Sequence, residues 1–299
     1  MSLPLVSICI PTYNGERFIA EAMNSAISQT YTNIEIVVSD DASKDTTLSI
    51  IERYKTKTDI PIRVYNHHPN GIGANWNHSI QKAQGIYIKF LFQDDVLAPN
   101  CIAEMVAVMQ ADSTIGLVAS KRDFIIDESF LNKETKLWIN NYADLQKTLN
   151  LSTENKLNII DNTLFKSETF LKLPLNKIGE PTVVLFRKDI VKDIGYFDES
   201  FKQILDYEYW YRILKYKKIA ILNEKLVTFR LHSNQATNVN KNQKISDYKL
   251  YEKLLYKQYI KLLHPNEQRR LLNQYNPAYR IYNKGIKKIK QFLKRIKNA

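Results

Sequence analysis

Two adjacent carboxylates, Asp94 and Asp95, follow an apolar run that covers residues 86–92. A run of this kind indicates a strand buried on both faces, and such strands belong to parallel sheets. Ligands of open α/β sheets lie just beyond the carboxyl ends of the strands, so the pair could hold Mg²⁺ or Mn²⁺ and, with the metal, a diphosphate. The alternative is that the carboxylates belong to the start of a helix near Pro99.

Polar residues also follow the first two predicted strands. After the strand at residues 6–10, Pro11 ends the ladder and Tyr13 offers a flat face on which a base could stack. Asp40 and Asp41 follow the second strand, where an acid can accept a hydrogen bond from a ribose hydroxyl or a base N–H. A turn with Asx capping is the alternative for this second pair.

Three more features could complete a site at the same edge. Residues 70–77, which contain two glycines and end at Asn77, predict a tight entry into a helix whose backbone can approach a ligand. Asp206 begins an aromatic-rich helix, where a shielded carboxylate could act as a general base or could only cap the helix. His232 follows a predicted strand and could reach a phosphate or a metal, or be structural.

These residues need a scaffold, and apolar runs alternate with helical segments to provide one. Predicted strands cover residues 6–10, 34–39, 62–65, 86–92, 116–120, 181–187, 219–222 and 226–230, and predicted helices cover residues 16–29, 45–55, 74–83, 100–110, 190–194 and 206–216. The alternation indicates βαβ units and a mostly parallel sheet. Residues 124–178 are polar and weakly periodic, which predicts an irregular excursion with short helices, one of them at residues 143–149. From residue 245 onward the sequence is helical, with breaks at Pro265 and Pro277.

The composition of the 299 residues is that of a soluble globular protein. Cys9 lies in a strand-like run, and with Cys101 it matches no metal spacing, so a reduced, buried thiol and a cytosolic compartment are predicted. No apolar stretch approaches the roughly 20 residues that span a bilayer, and the N-terminus lacks the features of a signal peptide. The sequence therefore predicts a cytoplasmic protein.

The formal net charge of +12 indicates an anionic partner, and the C-terminus is the most basic region. From residue 280 to the end there are eight basic residues and no acidic one, while Ile286, Ile289, Leu293 and Ile296 form an apolar stripe at helical spacing. Such a helix suits an anionic membrane, so peripheral contact with the inner face of the cell membrane is predicted. The alternative is a helix that packs on its own domain. Nucleic-acid binding is not predicted, because no recognition motif accompanies the charge.

Several segments, taken together and in order, resemble the family-2 inverting glycosyltransferases. They are residues 6–15 (VSICIPTYNG), 28–30 (SQT), 35–46 (EIVVSDDASKDT), 85–95 (GIYIKFLFQDD), 195–199 (GYFDE), Asp206 and 210–212 (WYR). The resemblance covers residues 4 to about 235. It implies an α/β fold of the GT-A type, with a nucleotide-binding domain at residues 1–235 and a C-terminal helical extension at residues 236–299.

The resemblance also implies roles for single residues. Asp206 matches the catalytic base, and Asp94 matches the last carboxylate of the D-x-D element that holds Mg²⁺ or Mn²⁺. The predicted nucleotide-sugar contacts are Pro11, Tyr13, Asp40, Asp41, Asn77, Gln93 and Asp94, and the predicted metal ligands are Asp94, Asp95 and His232. Two positions depart from the family pattern: Phe92 replaces the first acid of D-x-D, and Leu205 precedes the base where many members carry an acid.

The implied reaction is transfer of a sugar from a nucleotide diphosphate sugar, with a UDP-sugar as the expected donor, to an acceptor hydroxyl with inversion. A glycan or lipid-linked glycan acceptor is predicted, as in bacterial surface polysaccharide synthesis. One alternative is a degenerate, non-catalytic nucleotide-sugar-binding protein of the same fold. The other is a sugar nucleotidyltransferase, which would be expected to carry a glycine-rich loop near the N-terminus; residues 11–15 are not such a loop.

Overall fold

The apolar runs of the chain form the strands of one sheet. The computed structural model describes residues 3–127, 130–233, 235 and 245–297, and in this part of the chain the sheet has nine strands. The strands are β1 (Val6–Thr12), β2 (Ile34–Asp40), β3 (Ile62–Asn66), β4 (Tyr87–Phe90), β5 (Val96–Leu97), β6 (Ile115–Ile126), β7 (Leu157–Ile160), β8 (Val184–Arg187) and β9 (Lys218–Leu231).

The sheet is mixed but mostly parallel, as predicted. The strand order is β3-β2-β1-β4-β8-β6-β9-β5, and β7 also pairs with β9. Strands β1, β2, β3, β4, β6 and β9 run in one direction, whereas β5, β7 and β8 run in the opposite direction. Every residue of β2 and β4 is buried, which is the pattern expected for strands of a parallel sheet.

Ten α-helices complete the described structure. They are α1 (Ile19–Ile27), α2 (Thr47–Tyr54), α3 (Ile72–Lys82), α4 (Cys101–Ala111), α5 (Lys133–Tyr142), α6 (Val191–Ile194), α7 (Leu205–Leu214), α8 (Asp247–Leu254), α9 (Pro265–Tyr275) and α10 (Pro277–Lys297). Pro265 and Pro277 each begin a helix, which explains the two breaks predicted there. Among the described helices, none combines the length and the apolar character that crossing a membrane requires.

Two predicted sets of elements were wrong. The excursion has its helix at α5, not at residues 143–149, because Asn132 caps α5 by accepting a hydrogen bond from the Thr135 amide (2.9 Å). Residues 143–149 instead form turns, held in part by Asp144, which accepts a hydrogen bond from the Gln146 amide. The two strands predicted at residues 219–222 and 226–230 are one strand, β9.

The chain divides into two compact units. The first comprises Met1–Asn162 and Leu173–Ile245 and contains the sheet, and the second comprises Thr163–Lys172 and Ser246–Ala299. In the second unit, Phe165 packs edge-on against Phe170 and Tyr259, with ring centroids 5.1 and 5.3 Å apart. The boundary predicted after residue 235 adjoins residues 236–244, which lie outside the described residues, and it stays a prediction.

Candidate active site

The loops that follow β1 and β4 are joined side by side. The Tyr13 amide donates a hydrogen bond to Oε1 of Gln93 (2.9 Å), and Nε2 of Gln93 donates one to the Tyr13 carbonyl (3.0 Å). A Cβ atom on Gly15 would lie 2.4 Å from Oε1 of Gln93, so only glycine leaves room for this pairing. The Tyr13 ring is 54% exposed and free to stack on a planar ligand, whereas the Gln93 amide is used within the protein. Pro11 pairs with Ser39 of β2 and the parallel ladder continues to Thr12, so the prediction that Pro11 ends the ladder was wrong.

Asp40 and Asp41 have different surroundings at the end of β2. Asp40 is fully buried and accepts hydrogen bonds from the Thr12 hydroxyl (2.7 Å) and the Ser43 amide (2.8 Å). Asp40 therefore caps the turn after β2, as the alternative explanation of this pair proposed. Asp41 contacts Nδ1 of His67, and the chain turns sharply at Ala42, whose φ of 58° is left-handed. Of the two carboxylates, Asp41 is the less buried.

Asn77 lies on α3 and is engaged by a distant segment. Its amide nitrogen donates to the Phe197 carbonyl (3.0 Å) and to Oε1 of Glu199 (2.9 Å), and its carbonyl accepts from the Phe197 amide (2.9 Å). The side chain is buried. Asn77 thus holds residues 197–199 against α3. Its predicted contact with the nucleotide stays a prediction.

Asp94 and His232 meet at the carboxyl edge of the sheet. Oδ2 of Asp94 lies 2.9 Å from Nε2 of His232, and the backbone carbonyl of Asp94 accepts a hydrogen bond from Nε of Arg230 (2.8 Å). The His232 ring also packs on Phe18, with centroids 5.0 Å apart. The Asp94 pair precedes β5, and α4 begins only at Cys101, so the helix-start explanation of Asp94 and Asp95 is wrong.

Asp95 is buried beside Asp94 but faces the protein interior. Its Oδ1 accepts a hydrogen bond from the Arg230 amide (2.9 Å) and the side chain is 1% exposed. Burial, followed by the charge of Asp94, raises the pKa of Asp95 well above its usual value. A carboxyl group held in this way links the start of β5 to the end of β9. The predicted contact of Asp95 with a metal stays a prediction.

The donor set at this edge suits a divalent cation that also binds phosphate. Within the described part of the chain, no group of three His, Cys, Asp or Glu side chains is arranged to hold a metal. Mg²⁺, however, is commonly held by only one or two carboxylates and takes its remaining ligands from water and substrate phosphates. Asp94 and His232 offer one carboxylate and one imidazole for that arrangement, and imidazole also suits transition metals.

Asp206 lies in the first turn of α7 and is mostly buried. Oδ2 accepts a hydrogen bond from the Asn176 amide (2.8 Å), while Oδ1 is buried with no hydrogen-bond partner among the described residues. The N-cap of α7 is Ile204 and makes no side-chain cap, so capping does not account for Asp206. The free oxygen is the one that could take a proton from a ligand.

The environment of Asp206 favours the protonated form more than water does. Burial raises the pKa of Asp206 to about 7, and the charge of Glu180 acts in the same direction. The N–H groups of Tyr207 and Asp206 and the amide of Asn176 oppose this shift, because they stabilise the carboxylate. The group is thus poised to accept a proton near neutral pH.

The loop that carries Asn176 is tied to α7 and to the excursion. Nε1 of Trp210 donates to the Gly179 carbonyl (2.9 Å), and Nε2 of Gln146 donates to the Ile178 carbonyl (2.8 Å). Gly179 has a φ of 149°, and a Cβ there would lie 2.1 Å from Cγ2 of Val183, so the turn requires glycine. These contacts fix the position of Asn176 relative to Asp206.

Comparison with known proteins identifies the family. The family model described as "Glycosyl transferase family 2" matches residues 7–195. The chain is also 31% identical over 240 residues to an uncharacterized glycosyltransferase of Rickettsia typhi, a match that covers 80% of this chain and 68% of the relative. The chain belongs to glycosyl transferase family 2.

Two further matches give the family a chemical context. A relative from Escherichia coli, named UDP-Glc:alpha-D-GlcNAc-diphosphoundecaprenol beta-1,3-glucosyltransferase, is 32% identical over 171 residues, or 56% of this chain and 65% of the relative. The structure of TarS from S. aureus in complex with UDP-GlcNAc aligns with a TM-score of 0.66 at 19% identity, over 90% of this chain and 71% of that one. The predicted GT-A fold is confirmed, and the chain is a glycosyltransferase.

Both departures from the family pattern have a packing explanation. Phe92, in place of the first acid of D-x-D, stacks on Trp76 with centroids 5.3 Å apart. Leu205, which precedes the base, is 1% exposed, and a Cβ on Gly73 would lie 2.5 Å from its Cδ2. In this family-2 member, aromatic and aliphatic packing against α3 therefore replaces two acids.

Three residues at the site, namely Asn176, Glu180 and Arg230, could not be recognised from any local pattern. Asn176 and Glu180 lie in the irregular stretch before β8, and Arg230 lies in a strand whose alternation marks only which residues are buried. Arg230 binds Asp94 through its side chain and Asp95 through its amide. Its own charge is balanced by Glu21 of α1, a contact between residues 209 positions apart that no local pattern could indicate.

Proposed function

We propose that this protein transfers a sugar from a nucleotide diphosphate sugar, with a UDP-sugar as donor, to an acceptor hydroxyl with inversion at the anomeric carbon. The observation that carries the proposal is the state of Asp206: a buried carboxylate, oriented through one oxygen by Asn176, whose other oxygen has no partner among the described residues. A general base must be positioned before its pKa matters. Asp206 is oriented by the Asn176 hydrogen bond, and burial raises its pKa to about 7.

In the proposed reaction, Oδ1 of Asp206 accepts the proton of the acceptor hydroxyl as its oxygen attacks the anomeric carbon. The bond from that carbon to the diphosphate breaks as the new glycosidic bond forms, and the nucleoside diphosphate leaves with the electron pair. With a pKa of about 7, the carboxylate is ionised in a substantial fraction of molecules at neutral pH and is basic enough to share the proton in the transition state.

The donor would bind across the carboxyl ends of β1, β2 and β4. Tyr13 offers an exposed ring for the base, and Asp41 offers a carboxylate for the ribose or the base. Glycosyltransferases of this fold generally use a divalent cation. Asp94 and His232 would hold the cation, which when bound neutralises charge on the diphosphate. Arg230, whose Nε donates a hydrogen bond to the Asp94 carbonyl, adds positive charge close to that position.

The comparisons supply candidate substrates. The named E. coli relative uses UDP-Glc and an N-acetylglucosamine linked through diphosphate to a polyprenyl chain, and the TarS structure contains UDP-GlcNAc. We therefore propose a UDP-hexose or UDP-N-acetylhexosamine as donor and a lipid-linked glycan as acceptor, in the synthesis of a bacterial surface polysaccharide.

A lipid-linked acceptor would require the enzyme to work at a membrane surface, and the C-terminal helix supports that location. In α10, Ile289 is 60% and Ile296 57% exposed, whereas a helix docked on its own unit would bury both residues. The basic residues between and beside them favour an anionic surface. We propose a cytoplasmic enzyme in peripheral contact with the inner face of the cell membrane.

Product analysis tests the proposed function. The purified protein would be incubated with UDP-Glc or UDP-GlcNAc, with Mg²⁺ or Mn²⁺, and with α-N-acetylglucosaminyl diphosphate that carries a decyl chain. The expected product is a disaccharide with the inverted linkage, identified by its anomeric coupling constant, together with UDP. Binding of UDP without transfer to the acceptor or to water, under all combinations, would favour the non-catalytic alternative. Release of inorganic diphosphate from a nucleoside triphosphate would favour the nucleotidyltransferase.

A further inference from the structure

A second carboxylate, the partly buried Glu180, lies near Asp206 and belongs to none of the roles assigned above. Its Oε1 forms an ion pair with Nη2 of Arg122 (3.0 Å), and its Oε2 is buried with no hydrogen-bond partner among the described residues. A buried carboxylate oxygen normally has a donor, because leaving it unpaired costs free energy. The free oxygens of Glu180 and Asp206 are therefore two acceptors that a hydroxylated ligand could satisfy.

Arg122 fixes the orientation of Glu180. The Arg122 side chain is 4% exposed, and its Nη2 also donates a hydrogen bond to the Tyr142 carbonyl (2.9 Å). The guanidinium lies over the rings of Phe124 and Phe229, 5.0 and 5.9 Å from their centroids. Held by a backbone carbonyl and two aromatic faces, the arginine leaves Glu180 little freedom to rotate.

The same arginine connects Glu180 to a partly exposed aromatic wall on the excursion. Phe124 packs edge-on against Trp138 at 6.1 Å, and Trp138 packs against Tyr142 at 5.4 Å. Trp138 is the one partly exposed tryptophan of the three in the chain, since Trp76 and Trp210 are 8% and 0% exposed. Aromatic rings beside an orienting carboxylate suit a sugar ring, which presents C–H groups on its faces and hydroxyls at its edge.

The position of Glu180 relates this wall to the reaction centre. Glu180 directly follows Gly179, whose carbonyl accepts a hydrogen bond (3.0 Å) from the same Asn176 amide nitrogen that donates to Oδ2 of Asp206 (2.8 Å). Its negative charge also adds to the effect of burial in raising the pKa of Asp206.

We propose that Glu180 and Trp138 form the subsite for the acceptor sugar, with Oε2 of Glu180 accepting a hydrogen bond from a ring hydroxyl and Trp138 stacking on a face of the pyranose. Arg122 is a positioning residue that holds Glu180 in place. The inference rests on the proposed function, because it takes Asp206 as the base and places the acceptor sugar beside it. It names the recognised part of the acceptor as its terminal sugar and not its lipid.

Binding measurements on the full chain test the subsite without requiring turnover. The protein, saturated with UDP and Mn²⁺, would be titrated with α-N-acetylglucosaminyl decyl diphosphate and, separately, with decyl diphosphate that lacks the sugar. Tryptophan fluorescence and calorimetry would be recorded. The sugar-bearing probe should change the emission saturably, because Trp138 is the partly exposed tryptophan, and decyl diphosphate should not.

Variants assign the contacts. Glu180→Gln should weaken binding of the sugar-bearing probe at least about tenfold, the loss expected for a hydrogen bond to a charged group. Trp138→Ala should weaken it about fivefold, whereas Trp138→Phe should keep most of the affinity and lose the fluorescence change. Affinity for UDP should stay the same in all three. Glu35→Gln is the matched control, since Glu35 is also a buried, arginine-paired glutamate but lies at the start of β2.

A pH profile separates recognition from folding. Removing the charge of Glu180 should lower the pKa of Asp206 and move the rising limb of the rate–pH profile to lower pH, an effect that simple loss of packing would not produce. The inference is overturned if wild-type protein binds UDP but not the sugar-bearing probe, or if Glu180→Gln and Trp138→Ala bind that probe as the wild type does. Failure of the wild type to bind UDP would instead overturn the proposed function and the subsite with it.

Discussion

The Asn176 amide donates a 2.8 Å hydrogen bond to Oδ2 of Asp206, so the two oxygens of this carboxylate have different surroundings. Oδ2 is oriented by the protein, and Oδ1 is left for a ligand. The Oδ1 atom of Asn176 in turn accepts hydrogen bonds from the amides of Ile178 (3.0 Å) and Gly179 (2.9 Å), so the asparagine is itself fixed. Five predictions follow from this site and from the C-terminal helix.

Asp206→Asn should lower the transfer rate by several orders of magnitude while leaving UDP affinity within about twofold of the wild type, because the amide keeps the shape of the side chain and loses its basicity. Initial rates with the acceptor probe and calorimetry with UDP would measure the two effects. An Asn variant with near-native turnover would show that another group removes the proton.

The same substitution should stabilise the fold in a pH-dependent way. Because burial raises the pKa of Asp206 to about 7, the folded protein retains a proton that the unfolded chain releases between about pH 4 and pH 7. The stability contributed by the protonated carboxyl is thus lost as pH rises through 7, and Asp206→Asn should exceed the wild type above that pH by up to about 4 kcal/mol. Thermal unfolding across this range, with exposed Asp59→Asn as control, measures the gap; a gap independent of pH contradicts the prediction.

Asn176→Asp should move the rising limb of the rate–pH profile upward by about one pH unit or more, because a donor to the carboxylate becomes a second negative charge. The new carboxylate can still accept the amides of Ile178 and Gly179, so the turn should persist. The buried asparagine of β7 provides the control: Asn158→Asp introduces a similar charge elsewhere and should leave the limb in place. Equal profiles for the wild type and Asn176→Asp would remove Asn176 from the mechanism.

Much of this arrangement could be predicted from the sequence, and the reason lies in what local patterns encode. Buried runs such as β2 and β4 identify a parallel sheet, and the carboxyl ends of its strands then bring Tyr13, Asp41 and Asp94 to one edge. The partners of the base were not predictable. Asn176 is 30 residues from Asp206 in an irregular segment, and its position depends on the Gly179 turn and on Trp210, which are tertiary contacts without periodicity.

Asp94→Ala should abolish the metal-dependent increase in UDP affinity, because Phe92 leaves no upstream carboxylate to replace the lost ligand. His232→Ala should reduce it in part. Asp95→Asn should have a smaller effect than either, since Asp95 faces the Arg230 amide. Calorimetric titration of UDP with and without Mn²⁺ measures all three variants, and an unchanged metal response in Asp94→Ala would place the cation on other ligands.

Deletion of residues 284–299 should leave the rest of the chain folded and weaken binding to anionic vesicles. The deleted segment contains Ile289 and Ile296, both more than half exposed, so its removal opens little buried surface at those positions. It also removes seven basic residues, Lys284, Lys287, Lys288, Lys290, Lys294, Arg295 and Lys297, each of which contributes about 1 kcal/mol near an anionic surface.

Cosedimentation with phosphatidylglycerol vesicles, with phosphatidylcholine vesicles as control, measures this last effect. Binding of the full chain should fall as added salt shortens the Debye length, which is about 10 Å at 0.1 M ionic strength. The double variant Ile289→Ser/Ile296→Ser separates the apolar contribution from the charge, because it keeps all seven basic residues and should retain weaker, more salt-sensitive binding. If the shortened chain aggregates or unfolds at a lower temperature, the helix packs on its own unit. If both forms bind the vesicles equally, the basic membrane-binding surface lies elsewhere on the protein.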